Sequence, residues 1–386
     1  MIKGIRQIAV VTGSRADYGL LAWPIRRIQE EHSFRLTVIA TGMHLAAEFG
    51  MTVDQLAADG IAVTKRVPIL GDGDDANAMA AAIGRGVAGF AEAFEELRPD
   101  LVLLLGDRYE IFAAAQAAYV KKIPIAHLCG GDVTDGALDD AFRHSISKMA
   151  SLHFPTNADA ARRLRQLGEA EARIHAVGST GIDAILRAPQ MSPAELESAL
   201  GHKLGARFLL TTFHPVTLDA LPSMDQLNEL LAALEAVDPA ITVVFTLANA
   251  DADGRALNAA IEAFVQRRPN SFAHASLGPA RYLNLMRRAA AVVGNSSSGL
   301  YEAPSFDVPT VNIGRRQEGR LRAASVIDCP PERRAIGAAI ERALALQPKG
   351  TVNPYGDGEA AARIVAVLKA EADWPSLVYK RFQDLP

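Results

Sequence analysis

Short apolar runs recur along the chain, each followed by a longer stretch in which apolar positions return every three or four residues. In the first half the runs are Ile8–Val11, Leu36–Ala40, Leu101–Leu105, Ile123–His127 and Leu152–Phe154. In the second half they are Phe208–Thr211, Ile241–Thr246, Ala290–Val293 and Thr310–Ile313. They are rich in leucine or β-branched residues and end on turn residues, a pattern that predicts buried parallel strands in βα units. Ala76–Leu97 and Tyr109–Lys121 are alanine-rich with helical periodicity, which predicts helices between those strands. The expected class is α/β, a doubly wound parallel sheet in each half. Residues 188–206 interrupt the alternation with Pro189 and Pro193 and a helix capped by Ser192, so a boundary is expected there. The predicted units are 1–188 and 189–370. The tail 371–386 carries Trp374, Tyr379 and Phe382, too much aromatic surface to hang free, and is predicted to pack back on the body.

Length and composition narrow this picture. At 386 residues the chain suits two domains, and 49% hydrophobic with 22% charged residues is globular composition. A net charge of −4 provides no basic field for nucleic acid or an anionic membrane, so neither is expected as a partner. Cys129 and Cys329 are the two cysteines, in no metal-ligand spacing, which fits a reducing compartment. The apolar stretch near the N-terminus is too short for a leader peptide and no run is long enough to span a bilayer. A cytoplasmic location is therefore expected.

The chemistry-bearing residues cluster where strands end. The first strand runs into Thr12-Gly13-Ser14-Arg15-Ala16-Asp17-Tyr18-Gly19. A glycine and small residues leading into a helix let backbone N–H groups approach an anion, and Arg15 adds charge where a dinucleotide fingerprint has its second glycine. A plain strand-to-helix turn explains the same residues. Leu101–Leu105 delivers Gly106-Asp107-Arg108-Tyr109-Glu110, and the next strand delivers Cys129-Gly130-Gly131-Asp132, followed by Asp139, Asp140, Arg143 and His144. In a doubly wound sheet these groups converge, which is how a general acid or base is tuned. Asp139 and Asp140 also suit a helix N-terminus, and His144 suits a structural role.

In the second half His214-Pro215 follows a strand, and Gly294-Asn295-Ser296-Ser297-Ser298-Gly299 ends another, with Glu302 four residues past Ser298. Serine hydroxyls and helix-start N–H groups suit a diphosphate, and a carboxylate one turn on suits the two hydroxyls of a ribose. That combination points to a nucleoside diphosphate. Arg315 and Arg316 add positive charge after the next strand. Asp251-Ala252-Asp253 matches a metal-holding pattern but precedes a helix, where acidic residues are favoured anyway. The loop Gly71-Asp72-Gly73-Asp74-Asp75 reads as a solvated turn, and no metal site is expected.

Taken together, Thr12–Gly19, Thr41-Gly42-Met43-His44, Gly106–Glu110, His127–His144, His214-Pro215-Val216, Asn295–Glu302 and Asn312–Gln317 resemble the hydrolysing UDP-N-acetylglucosamine 2-epimerases of sialic and legionaminic acid biosynthesis. The resemblance spans almost the whole chain. It implies a GT-B architecture, two Rossmann-like domains facing a cleft with the last helix crossing back to the first. It also implies a homodimer or homotetramer, no cofactor, and loss of UDP by anti-elimination across C1–C2 followed by hydration of the glycal. The implied acid/base candidates are Asp107, Asp132, Asp139, Asp140, His144 and Cys129. The implied substrate contacts are Arg15, Asp17, His44, Arg108, Glu110, Arg143, His214, Asn249, Ser296, Ser297, Ser298, Glu302 and Arg316. One departure stands out: sialic-type members read His-Ile-Glu-Gly-Gly-Glu where this chain has His127-Leu128-Cys129-Gly130-Gly131-Asp132. Cys129 cannot serve as a carboxylate, although a neighbouring imidazole would lower its pKa, and Asp132 is expected to supply the charge. The departure also fits a different sugar, a 2,4-diacetamido-2,4,6-trideoxy relative. A non-hydrolysing epimerase, a GT-B glycosyltransferase and a nucleotide-sugar sensor are the rival readings.

Overall fold

A computed structural model describes residues 4–71, 73, 75–134, 137–216, 221–247 and 254–384. The strands are β1 (Arg6–Thr12), β2 (Phe34–Thr41), β3 (Val63–Val67), β4 (Leu101–Leu105), β5 (Ile125–Leu128), β6 (Leu152–Phe154), β7 (Phe208–Thr212), β8 (Thr242–Thr246), β9 (Ser271–His274), β10 (Ala291–Gly294), β11 (Thr310–Ile313) and β12 (Val326–Cys329). They form two parallel sheets, ordered β3-β2-β1-β4-β5-β6 and β12-β11-β10-β7-β8-β9. Numbered within its own half, each sheet has the order 3-2-1-4-5-6 of a dinucleotide-binding fold. Such a sheet binds ligands at the C-terminal ends of its strands, where the order reverses. That point lies between β1 and β4 in the first sheet and between β7 and β10 in the second.

The three strands absent from the sequence reading are β3, β9 and β12, all at sheet edges. Each alternates buried with exposed positions or is largely half-buried, so none shows the continuous apolar run of a central strand. The central strands are covered on both faces. In the first unit Ile8, Val10, Leu101 and Leu103 pack on the helix Arg15–Glu30, while Ala9, Val11, Val102 and Leu104 pack on Ala76–Leu97 and Tyr109–Val120. In the second, Leu209, Val243 and Val293 face one set of helices, and Leu210, Val244 and Val292 face the other.

Unit one comprises Met1–Ala184 and Gly356–Pro386; unit two is Ile185–Tyr355. The return to unit one thus begins at Gly356, so Ala360–Ala370 belongs with the first half and not, as the sequence reading has it, with the second. Asp183 ties this return down. Its carboxylate is 1% exposed and accepts from the N–H groups of Ala360 and Ala361, both at 3.1 Å, capping the helix from outside. Ile364, Leu368 and Trp374 complete the core beside Ile25 and Ile28. The tail differs from expectation in part: Trp374 is buried under Arg6 and against Phe34, but Tyr379 and Phe382 remain exposed. Ser192 forms a capping box with Glu195, as its sequence position suggests. Among the described residues no helix is long and apolar enough to cross a membrane.

One polar network in unit one is buried. The Glu169 carboxylate, 1% exposed, is met by His153 Nε2 at 2.9 Å, Lys148 Nζ at 2.9 Å and Lys380 Nζ at 2.6 Å. Burial alone would raise its pKa, but the three donors overcome this and hold it at about 2, below the ordinary 4.5. A depressed carboxylate stabilises the fold above its ordinary pKa, and that contribution is lost as pH falls towards the folded value. Glu169→Gln is accordingly expected to cost about 3 kcal/mol near neutral pH. Thermal unfolding should show the deficit shrinking as pH drops from about 4.5 towards 2.

Candidate active site

Asp107 is the first side chain beyond the turn that follows β4. Gly106 makes that turn with φ +76°, and its carbonyl accepts a 2.7 Å hydrogen bond from His127 Nε2. His127 is wholly buried and shares its Nδ1 with the Ser147 hydroxyl at 3.0 Å. Burial holds the imidazole neutral, with a pKa of about 3, so it acts as a fixed brace for the Asp107 turn.

Arg143 gathers the carboxylates. Its side chain is 8% exposed and pairs with Asp107, with Asp140 at 3.1 Å, and with the Thr134 hydroxyl at 2.9 Å. A guanidinium fork holds several oxygens in fixed geometry, which suits this hub. Asp140 also accepts from the Thr134 N–H at 2.8 Å and lies 3.5 Å from His144 Nε2. Asp132 takes weak hydrogen bonds from the Thr156 hydroxyl at 3.4–3.5 Å, and burial raises its pKa. The structure thus brings together Asp107, Asp132, Asp140, Arg143 and His144. Asp139 sits exposed in the first helical turn of Leu138–Met149, outside this set. Neither aspartate caps that helix, whose N-cap is Ala137.

Cys129 occupies a left-handed backbone conformation, φ +63°, which costs a side-chain-bearing residue about 1–2 kcal/mol. Burial, with Asp132 and Asp107 nearby, pushes its thiol up to about 12. The expected imidazole-lowered thiolate is therefore not what the surroundings produce. His127, the nearest sequence candidate, is itself neutral and fully engaged.

The loop after β1 is packed tightly on the element that follows β4. A Cβ on Gly13 would lie 2.5 Å from Glu110 Oε1, so the buried glutamate by itself favours glycine here. The Gly13 N–H is turned towards the Asp17 carboxylate at 3.3 Å. Glu110 is fully buried, its pKa raised by that burial. One oxygen accepts from Arg108 Nε at 2.6 Å, and the other, Oε2, has no hydrogen-bond partner among the described residues. His44 is also fully buried, bonded to Thr12 at 3.0 Å and Thr52 at 2.8 Å, and held neutral by burial at a pKa of about 4. Glu110 and His44 brace the loops that carry Arg15 and Arg108. Arg15 is exposed at the helix start. Beside Arg108 opens a cavity of about 590 Å³ walled by Met43, Leu70, Met79 and Tyr109.

In unit two, Ser296 and Ser298 line a cavity of about 300 Å³ together with His214, Thr246, Leu277 and Tyr282. The Ser296 and Ser298 hydroxyls are 3.2 Å apart. Ser297 opens a helix, but that helix is one turn long, Ser298–Tyr301, so Glu302 lies at its end and not on its first turn. Burial of the Glu302 carboxylate raises its pKa to about 7, and its Oε2 has no hydrogen-bond partner among the described residues. Arg316 is exposed, with Nη1 on the Asn295 carbonyl at 3.2 Å. Tyr282, bonded to Ser298 and Thr212, was not singled out from sequence, because it sits in an amphipathic helix like any core aromatic. Asn249 and Asp251-Ala252-Asp253 lie outside the described residues, as do Asp72 and Asp74. Among the described residues no group of three or more His, Cys, Asp or Glu could hold a metal ion.

A family model described as UDP-N-acetylglucosamine 2-epimerase matches residues 26–369. The GDP/UDP-N,N'-diacetylbacillosamine 2-epimerase (hydrolyzing) of Campylobacter jejuni is 40% identical over 84% of each chain. The UDP-N,N'-diacetylbacillosamine 2-epimerase (hydrolyzing) of Legionella pneumophila is 34% identical over 95% of this chain and 96% of its own. Polysialic acid biosynthesis protein P7 of Escherichia coli is 33% identical over 99% and 98%. Among solved structures, the UDP-GlcNAc 2-epimerase of Neisseria meningitidis bound to UDP-GlcNAc superposes with a TM-score of 0.79 at 20% identity, over 95% of this chain and 100% of that one.

The environment of Cys129 makes it a slow nucleophile. In a Cys329→Ser background, iodoacetamide labelling of Cys129 at pH 8 is expected to be at least about tenfold slower in the native protein than after denaturation. Equal rates, read by mass spectrometry, would mean that the thiol is not held protonated.

Proposed function

Since the chain belongs to the UDP-N-acetylglucosamine 2-epimerase family, we propose that it catalyses hydrolysing 2-epimerisation of a UDP-linked N-acetylamino sugar. The observation that carries the reading is the carboxylate cluster held by Arg143 at the C-terminal ends of β4 and β5. A carboxylate takes the C2 proton as the C1–O bond breaks and its electron pair leaves with UDP, giving a glycal. Water then adds across C1=C2, its hydroxyl to C1 and a proton to the opposite face of C2. The products are UDP and the free manno-configured sugar. The C2 proton is not acidified by an adjacent carbonyl, so stabilising the departing diphosphate and the oxocarbenium-like ring lowers the barrier most.

Asp107 and Asp132 carry the proton transfers, with Arg143 and Asp140 holding them in place. Asp132 suits a proton carrier because burial raises its pKa towards working pH. Arg15, Arg108 and Arg316 balance phosphate charge. Ser296 and Ser298 donate to the diphosphate, and Glu302 accepts from the ribose hydroxyls. The 2,4-diacetamido-2,4,6-trideoxy sugar is the favoured substrate over the N-acetylglucosamine form. Two relatives at 40% and 34% identity carry that activity in their names, and a cavity that combines Met43, Leu70 and Met79 with Glu48 and Asp75 suits a methyl and an extra acetamido group.

Proton NMR in D₂O with each UDP-sugar tests the reaction. Free UDP with a C2-deuterated manno-configured sugar is the expected result; epimerised sugar still linked to UDP would mark a non-hydrolysing enzyme. Glu302 provides a second check. With a pKa of about 7 in the free protein, it must ionise to accept both hydroxyls well, so UDP affinity should rise between about pH 6 and pH 8. Calorimetry on Glu302→Gln should show that component of the rise removed.

A further inference from the structure

β7 and β10 are neighbours at the point where the second sheet reverses its strand order, and their ends are pressed together. A Cβ on Gly294 would lie 1.9 Å from the Thr212 carbonyl oxygen, at a φ of +138°. The next residue, Asn295, is wholly buried and uses every polar atom it has. Its N–H donates to the Thr212 carbonyl at 3.1 Å. Its side-chain oxygen accepts from the His214 N–H at 2.7 Å, and its side-chain nitrogen donates to the His214 carbonyl at 2.8 Å. Its own carbonyl accepts from Gln317 Nε2 at 2.8 Å and Arg316 Nη1 at 3.2 Å.

We propose that Asn295 is a positioning residue: its amide grips both backbone groups of His214 and so fixes the imidazole against the serine cavity. An amide is one of few side chains able to do this, because it presents a donor and an acceptor side by side to one peptide residue. The same residue bonds the loop after β11, so three loops at the switch point share one anchor. His214 lines the cavity with Ser296 and Ser298. The inference rests on the reading of that cavity as the diphosphate site, but the grip on His214 is testable apart from it.

Asn295→Ala removes both bonds, and Asn295→Asp keeps the acceptor while losing the donor. A protonated aspartic acid regains a donor beside an acceptor. Hydrogen exchange of the His214 amide, followed by mass spectrometry on residues 213–216, should accelerate at least about tenfold in Asn295→Ala. In that variant kcat should fall roughly 100-fold while UDP affinity stays within about threefold. The Asn295→Asp to wild-type turnover ratio should climb as pH falls from about 8 to about 5. Unchanged exchange at His214 overturns the proposal. So does a kcat loss matched by an equal loss of UDP affinity with a flat Asn295→Asp ratio. If the wild-type protein turns over no UDP-sugar yet exchange at His214 accelerates in the variant, the proposed reaction fails and the grip stands.

Discussion

Thr12, Gly13, Asp107, His214 and Asn295 owe their place to one topological constraint: the reversal of strand order between the first and fourth strands of each sheet. Parallel strands buried on both faces leave little room for polar side chains along their length. Polar groups collect where the strands stop, and at the reversal the following loops diverge and open a crevice. Thr12-Gly13 and Gly106-Asp107 flank that point in the first unit; His214 and Asn295 flank it in the second.

The two units solve the same problem differently. In the first, the crevice is underlain by ionisable groups that burial forces towards neutrality, Glu110 and His44, with His127 bracing the neighbouring β4–β5 end. Above them Arg143 keeps Asp107 and Asp140 in one constellation. In the second, neutral groups dominate. Hydroxyls of Ser296 and Ser298 line the cavity, amides of Asn295 and Gln317 hold its loops, and Glu302 adds a carboxylate whose pKa burial raises. Hydrogen-bond donors there suit a ligand that brings its own charge, whereas proton transfer needs titratable groups of the kind gathered in the first unit.

Cys129 shows how a departure from a family pattern is absorbed. The residue keeps a left-handed turn, φ +63°, directly after β5 and bonds its N–H to the Phe154 carbonyl at 3.1 Å. A protonated thiol contributes no charge, whereas Asp132, three residues on, brings a carboxyl group within the field of Arg143.

The sequence by itself determined the α/β class, the central strands, the two-unit organisation and the identity of the polar loops, because apolar runs and strand-end motifs are local signals. The edge strands β3, β9 and β12 escaped it, since they have exposed or half-buried positions and no continuous apolar run, whereas the edge strand β6 is buried throughout and was legible. It could not separate groups that reach a cavity from groups buried beneath one. Glu110 and Asp107 stand three residues apart in one motif, yet one is sealed under Gly13 and the other reaches the Arg143 cluster. Nor could it tell that Asn295 spends its amide on His214, 81 positions earlier. Those distinctions depend on which side of a strand end each residue faces and on partners far away in the chain. Only the tertiary structure sets both.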